Sequence, residues 1–191
     1  YWDLLSTLHE HAHKLIAPKA HIMFWFSPKM RDETKRKLRA YFPNILIQDF
    51  EMIWVTPTKQ TTPDPHRYGQ SNYQTAMLLT FGDRKIVQPK RLAFIYEEQV
   101  KFHRSQKPVK VLSHFFEMFV DSSTRMLDPT CGSATSVITA KQLGAPFVLG
   151  MVLLKRLSIG ALSQGWRRCL GLASVQGECP RNVLCFGEHK R

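Results

Sequence analysis

The chain has 191 residues, 43% of them apolar and 22% charged, a balance that belongs to a folded domain and excludes a disordered one. No apolar run reaches the ~18 residues of a membrane-spanning helix, so that class is excluded too. Lys and Arg number 27 against 15 Asp and Glu, and the net charge of +12 favours a polyanionic partner.

The chain opens on Tyr1 rather than Met and shows no charged-then-apolar leader. The expectation is therefore a piece of a longer protein, without a signal peptide. The four cysteines, Cys131, Cys169, Cys179 and Cys185, contain no C-x-x-C pair and no zinc-knuckle gap. That usage points to a reduced, cytoplasmic setting.

Leu4, Leu5, Leu8, Ala12, Leu15 and Ile16 fall at helical spacing, closed by Pro18. His21 to Phe26 is a short apolar run rich in aromatics and predicts a buried strand. Residues 30 to 42 predict a basic amphipathic helix with Lys35, Arg36 and Arg39. Phe50 to Val55 is strand-like. Thr56 to Tyr73 holds three prolines among polar residues and reads as a long surface loop, of the kind that carries function. Ala76 to Phe81 predicts another strand, stopped by Gly82-Asp83. The stretch from 83 to 106 is basic and irregular, with a short strand at Leu92 to Tyr96.

Pro108 then opens an apolar helix, and Arg125 to Asp128 forms a short strand. Pro129 to Ser133 is a glycine turn. Thr135 to Leu143 is a helix with a left-handed cap expected at Gly144. Phe147 to Leu154 is a second strand. Strand, glycine turn, helix and strand make a βαβ unit, and the alternation along the chain predicts an α/β sheet.

The run Asp128-Pro129-Thr130-Cys131-Gly132-Ser133-Ala134-Thr135 carries the most information. An acid at a strand end followed by a glycine turn presents backbone N–H groups and a helix N-terminus to a ligand. About twenty residues upstream stand Gln106-Lys107-Pro108. Together they resemble the amino-group DNA methyltransferases, in the permuted subgroup that carries Gln-Lys-Pro, a helix, and a strand ending in Asp-Pro-Phe-x-Gly-Ser-Gly-Thr. The resemblance covers about residues 1 to 150.

That resemblance implies a Rossmann-like fold: a mainly parallel open sheet with an antiparallel edge hairpin. The apolar helices flanking the strand that ends in Asp128 predict a central place for it. It implies S-adenosylmethionine (SAM) as cofactor, held by Lys107, Pro108, Asp128, Pro129, Thr130, Gly132 and Ser133. It implies methyl transfer to adenine N6 or cytosine N4 in double-stranded DNA, in a bacterial or phage-infected cell, with no membrane and no metal. Ile53 to Val55 and the loop with Arg67 match the segment that lines the target-base pocket. Arg67, with Lys35, Arg36 and Arg39, is the expected DNA contact set. Oligomeric state is left open.

Three departures from the family pattern stand in the sequence. No Pro-Pro-Tyr element occurs, and it is expected to precede Tyr1, so these residues alone are expected to be inactive. Ala134 replaces the second glycine of the turn. No carboxylate falls in Leu149 to Val152, where the family binds the ribose hydroxyls. Residues 151 to 191 are basic, poorly periodic and unlike the family, as a shift of coding frame near 151 would make them. The domain expectation is thus a partial methyltransferase domain at 1–150 and an atypical tail at 151–191.

Two other readings compete. One is a non-catalytic DNA-binding remnant of a phage or mobile-element gene. The other is an unrelated nucleotide-binding α/β protein, disfavoured by the lack of Gly-x-Gly-x-x-Gly and Gly-Lys-Thr. His9, His11 and His13 do not make a metal site, because helix residues two apart diverge by about 200°. Cys131 has no candidate base to make it a nucleophile.

Overall fold

The strand that organises the first half of the chain is Tyr73–Phe81 (β4). Its six residues Thr75 to Thr80 are all buried. A computed structural model describes residues 2–58, 65–69, 71–97, 106–153 and 170–173. The chain divides into two units, residues 1–97 and 98–191.

In the first unit, helix Trp2–Glu10 (α1) and the short helix Ala12–Leu15 (α2) meet at a turn on His11, so the single predicted helix is broken there. Strand Ala20–Phe26 (β1) follows, then a 3₁₀ turn at Pro28–Met30 and helix Arg31–Tyr41 (α3). Strands Leu46–Ile47 (β2) and Met52–Val55 (β3) precede a single helical turn at Pro65–Tyr68 (α4). After β4 comes strand Ala93–Ile95 (β5).

The sheet order is β1-β4-β3-β5, with β2 also on β4. β4 is antiparallel to β1, β2 and β3, and β5 is parallel to β3. Four strands therefore share one direction and β4 alone opposes them. Because β4 lies inside the sheet it is buried on both faces, and its apolar run is continuous rather than alternating. On one face Met77 and Leu79 pack with Leu38, Phe42, Ile45 and Ile47. Met52, Trp54, Ala76 and Leu78 are also buried, at 0–1% exposure.

The expectation of a buried strand at residues 21 to 26 needs correction. Every residue of β1 is half-buried. β1 ends the sheet order, and an end strand is covered less than an interior one. The aromatic run that suggested full burial instead supplies Phe24 and Phe26 to the rim of the core.

The second unit holds helix Val109–Phe116 (α5), strand Arg125–Asp128 (β6), helix Thr135–Gln142 (α6), strand Phe147–Leu153 (β7) and strand Leu170–Ala173 (β8). Val111, Leu112, Phe115 and Phe116 of α5 are buried, as are Val137 and Ala140 of α6, which packs against it. Asp121 builds the turn into β6: its Oδ1 accepts from Ser123 N–H at 2.8 Å and from the Thr124 hydroxyl at 2.9 Å. α6 ends as its sequence predicts. Gly144 takes φ +90°, and Ala145 N–H returns to the Ala140 carbonyl at 3.0 Å, the six-to-one bond of a left-handed cap.

The sheet order here is β6-β7-β8, β6 parallel to β7 and β8 antiparallel at the edge. Among the described residues β6 is thus an end strand, not the central one expected. The flanking apolar helices led to that expectation. Helices cover the faces of a sheet, however, and say nothing about which strand lies along its hydrogen-bonding edge. None of the four β6 residues is fully buried, which fits an end position. Of the tail, residues 151–153 complete β7 and 170–173 form β8. The rest of 151–191, with Cys169, Cys179 and Cys185, lies outside the described residues.

Candidate cofactor turn and basic surface

The turn between β6 and α6 is built by Asp128. Its Oδ1 accepts from Thr130 N–H at 2.8 Å and from the Thr130 hydroxyl at 3.3 Å. Its Oδ2 accepts a short hydrogen bond from the hydroxyl of Ser136, the second residue of α6. The acid therefore ties the strand end to the helix start. A carboxylate has about four lone-pair sites, and three are used internally, leaving one for a ligand.

Gly132 turns the chain with φ +51° and is exposed together with Ser133. Ser133 and Thr135 share a hydroxyl–hydroxyl bond of 2.9 Å. The Thr135 carbonyl takes the buried Thr139 hydroxyl at 2.7 Å. Ala134 closes the turn through its N–H to the Cys131 carbonyl at 2.8 Å. It adopts φ 59°, ψ 16°, and is the one non-glycine residue with positive φ among the described residues. The left-handed region clashes with a Cβ, which accounts for glycine at this place in the family pattern.

The carbon of Gly150 that would carry a side chain faces the turn and the helix. A Cβ there would stand 2.6 Å from Val137 Cγ2 and 2.7 Å from Cys131 Sγ. Gly150 pairs with Asp128 across β6 and β7. A glycine inside a strand is a recognised sign of close approach, and it was the available signal for this contact. Burial pushes the Cys131 thiol up, and the negative charge of Asp128 adds to the shift. Both causes disfavour the thiolate, so the residue packs rather than reacts.

Of the expected cofactor residues, Asp128, Pro129, Thr130, Gly132 and Ser133 come together in this turn. Lys107 and Pro108 stand at the start of α5, which packs on α6. Pro108 is buried, and its carbonyl accepts the Leu112 N–H at 3.1 Å. Ser136 and Gly150 belong to the turn as well, although its motif does not include them.

The basic residues lie on the first unit. Thr34 and Leu38 of α3 face the core, while Arg36 and Arg39 are exposed and Lys35 is half-buried. Arg31 at the start of α3 pairs with Glu51. Arg67 is exposed on α4. His9 packs its ring against Tyr41 and Phe42, with centroids 5.4 and 5.7 Å away. Among the described residues no three His, Cys, Asp or Glu gather as a metal set. No described helix is long and apolar enough to cross a membrane.

A strand ending in an acid, a glycine turn, a helix and a parallel strand define a Rossmann-like α/β fold. Two solved structures share it. One is M1.HpyAVI in complex with SAM, with a TM-score of 0.63 and 19% identity over 78% of this chain and 75% of that one. The other is M1.HpyAVI, with the same TM-score and identity over 80% of this chain and 75% of that one. No protein-family profile and no curated protein matches the chain. The likeness bears out the fold that the amino-group methyltransferase resemblance implied.

Proposed function

We propose that this chain is the cofactor-holding part of a DNA methyltransferase, one that moves a methyl group from SAM to the exocyclic amine of adenine or cytosine. The carrying observation is the turn from Asp128 to Ser133, set at the start of α6 in a fold shared with the SAM complex of M1.HpyAVI. SAM, when bound, supplies a methyl group activated on a sulfonium.

The chain's own residues have the parts to hold such a group. Gly132 and Ser133 present exposed backbone at the helix start, where N–H groups and the helix dipole favour a carboxylate. Asp128 keeps one acceptor site for an ammonium group. Lys107 and Pro108 border the same helix pair. Arg36, Arg39, Lys35 and Arg67 are proposed to meet the phosphates of double-stranded DNA, in keeping with the net charge of +12.

The residues present do not include a Pro-Pro-Tyr element, and β7 continues through Val152 to Leu153 without a carboxylate. These two features support a second reading, a non-catalytic DNA-binding remnant. Two measurements separate the readings. Calorimetric titration of SAM into the chain should give saturable heat that Gly132→Val removes. Labelled SAM with mixed-sequence duplex should give no methyl incorporation above background. Absent heat leaves the remnant reading alone standing, and robust incorporation shows that catalytic residues lie within the chain.

A further inference from the structure

The connection from β4 to β5, residues 82–92, carries Arg84, Lys85, Lys90 and Arg91 against a single acid, Asp83. Four of its eleven residues are thus cations, compared with 27 of 191 in the whole chain. The acid is already taken. Lys19 Nζ stands 2.7 Å from Asp83 Oδ1, and this ammonium holds the carboxyl below the usual carboxylate range. What the loop presents outward is therefore positive charge.

The loop is also held at both ends. Gly82 passes so close to the chain before β1 that a Cβ on it would stand 2.7 Å from the Pro18 carbonyl oxygen. His21 Nε2, on β1, donates to the Lys85 carbonyl at 3.4 Å. At the far end the Leu92 carbonyl, one residue before β5, accepts the Ile53 N–H at 2.7 Å. Between these anchors Lys85, Val87, Gln88, Pro89 and Arg91 are exposed, and Arg84 is half-buried. Crowding like charges into an anchored loop costs stability through mutual repulsion, which a polyanion relieves. A loop ordered in advance also loses less entropy on binding one.

The loop adjoins the basic helix. Phe42, which closes α3, packs edge-on against Phe81, with ring centroids 5.6 Å apart. Phe81 is the residue before Gly82, so the last turn of α3, with Arg39, ends beside the start of the loop. Two neighbouring groups of cations on separate elements fit the repeated phosphates of a nucleic-acid backbone rather than one small anion.

We infer that the β4–β5 loop is a second phosphate-contact surface, on which Arg84 and Lys85 continue the track of Arg36 and Arg39 along the DNA backbone. The inference rests on the reading of duplex DNA as the partner.

The test is fluorescence anisotropy of a short labelled duplex titrated with the 191-residue chain over a range of salt concentrations. Arg84→Gln and Lys85→Gln should each weaken binding about fivefold and lower the salt slope by about one, and the double variant should lower it by about two. Lys110→Gln, at an exposed position of α5, removes the same charge elsewhere and should leave the slope unchanged. In the unaltered chain, bound duplex should protect Lys85 from acetylation and leave the rate at Lys110 as it was. An equal loss of slope from Lys110→Gln, an unchanged slope in the double variant or an unprotected Lys85 overturns the inference, while a lowered slope in Arg36→Gln and Arg39→Gln keeps the DNA reading. If the unaltered chain does not bind the duplex, the DNA reading falls and the inference falls with it.

Discussion

Gly150 and Cys131 approach so closely that a Cβ on Gly150 would lie 2.7 Å from the cysteine sulfur. Val137 Cγ2 would be closer still, at 2.6 Å. Neither neighbour can withdraw easily, since Cys131 and Val137 are 7% and 1% exposed. Gly150→Ala should therefore cost about 1–3 kcal/mol through overpacking. Chemical denaturation of the two proteins measures it, and equal midpoints would show that the turn shifts freely.

Ala134 presents the opposite case. A left-handed alanine costs roughly 1–2 kcal/mol, while glycine loses about 0.5–1 kcal/mol more backbone entropy on folding. Ala134→Gly should stabilise the chain by a net amount of about 0.5–1 kcal/mol. A rise in the thermal midpoint is the expected result. A fall would mean that the methyl group makes a packing contact worth more than the strain.

Acid should weaken the first unit through His21. Burial pushes this imidazole below its usual value, a bond to the Lys85 carbonyl works against the shift, and the charge of Arg84 adds to it. Its Nδ1 lies 3.2 Å from the Thr80 hydroxyl, on the neighbouring strand. The folded state thus binds the proton less readily than the unfolded chain. The stability contributed by neutral His21 is fully present above the unfolded value near 6.5 and is lost as pH falls towards the folded one. The unfolding midpoint should drop below pH ~6.5, and less steeply in His21→Gln. Parallel curves for the two proteins would remove His21 from the account.

The cofactor turn gives a paired test. Asp128→Ala removes the acceptor of three turn bonds and should abolish measurable SAM binding. Val152 stands two positions beyond Gly150, the partner of Asp128, in the stretch where the resemblance expects an acid. Val152→Glu should tighten SAM binding by up to about tenfold, the equivalent of 1.4 kcal/mol. Calorimetry on both variants decides. Binding indifferent to Asp128→Ala would make the turn a purely structural element.

Much of this was legible in the sequence because local signals and packing agree. The apolar runs at 21–26 and 76–81 became β1 and β4, and Gly144 took the left-handed cap that its place after α6 required. The turn at Asp128 was legible as a motif. Its internal wiring was not, because Ser136 is one of several hydroxyls nearby and spacing does not say which one the acid accepts. The end place of β6 among the described strands was hidden, since strand neighbours are set by pairing rather than by composition. The bond from His21 to the Lys85 carbonyl joins residues 64 apart, from β1 to the loop after β4, and no periodicity marks such a pair.

The central place of β4 bears on the order in which the chain can fold during synthesis. β1, β2 and β3 each bond to β4, and Ala20 waits for Phe81 to complete its pair. Among the described residues none of the three pairs with an earlier strand. Until β4 is made, β1, β2 and β3 therefore emerge without this partner and with apolar edges exposed. Arrival of Tyr73–Phe81 then zips three strands in one event. A stall or truncation before residue 81 would release an aggregation-prone chain, whereas one after Ile95 would release β1 to β5 already paired.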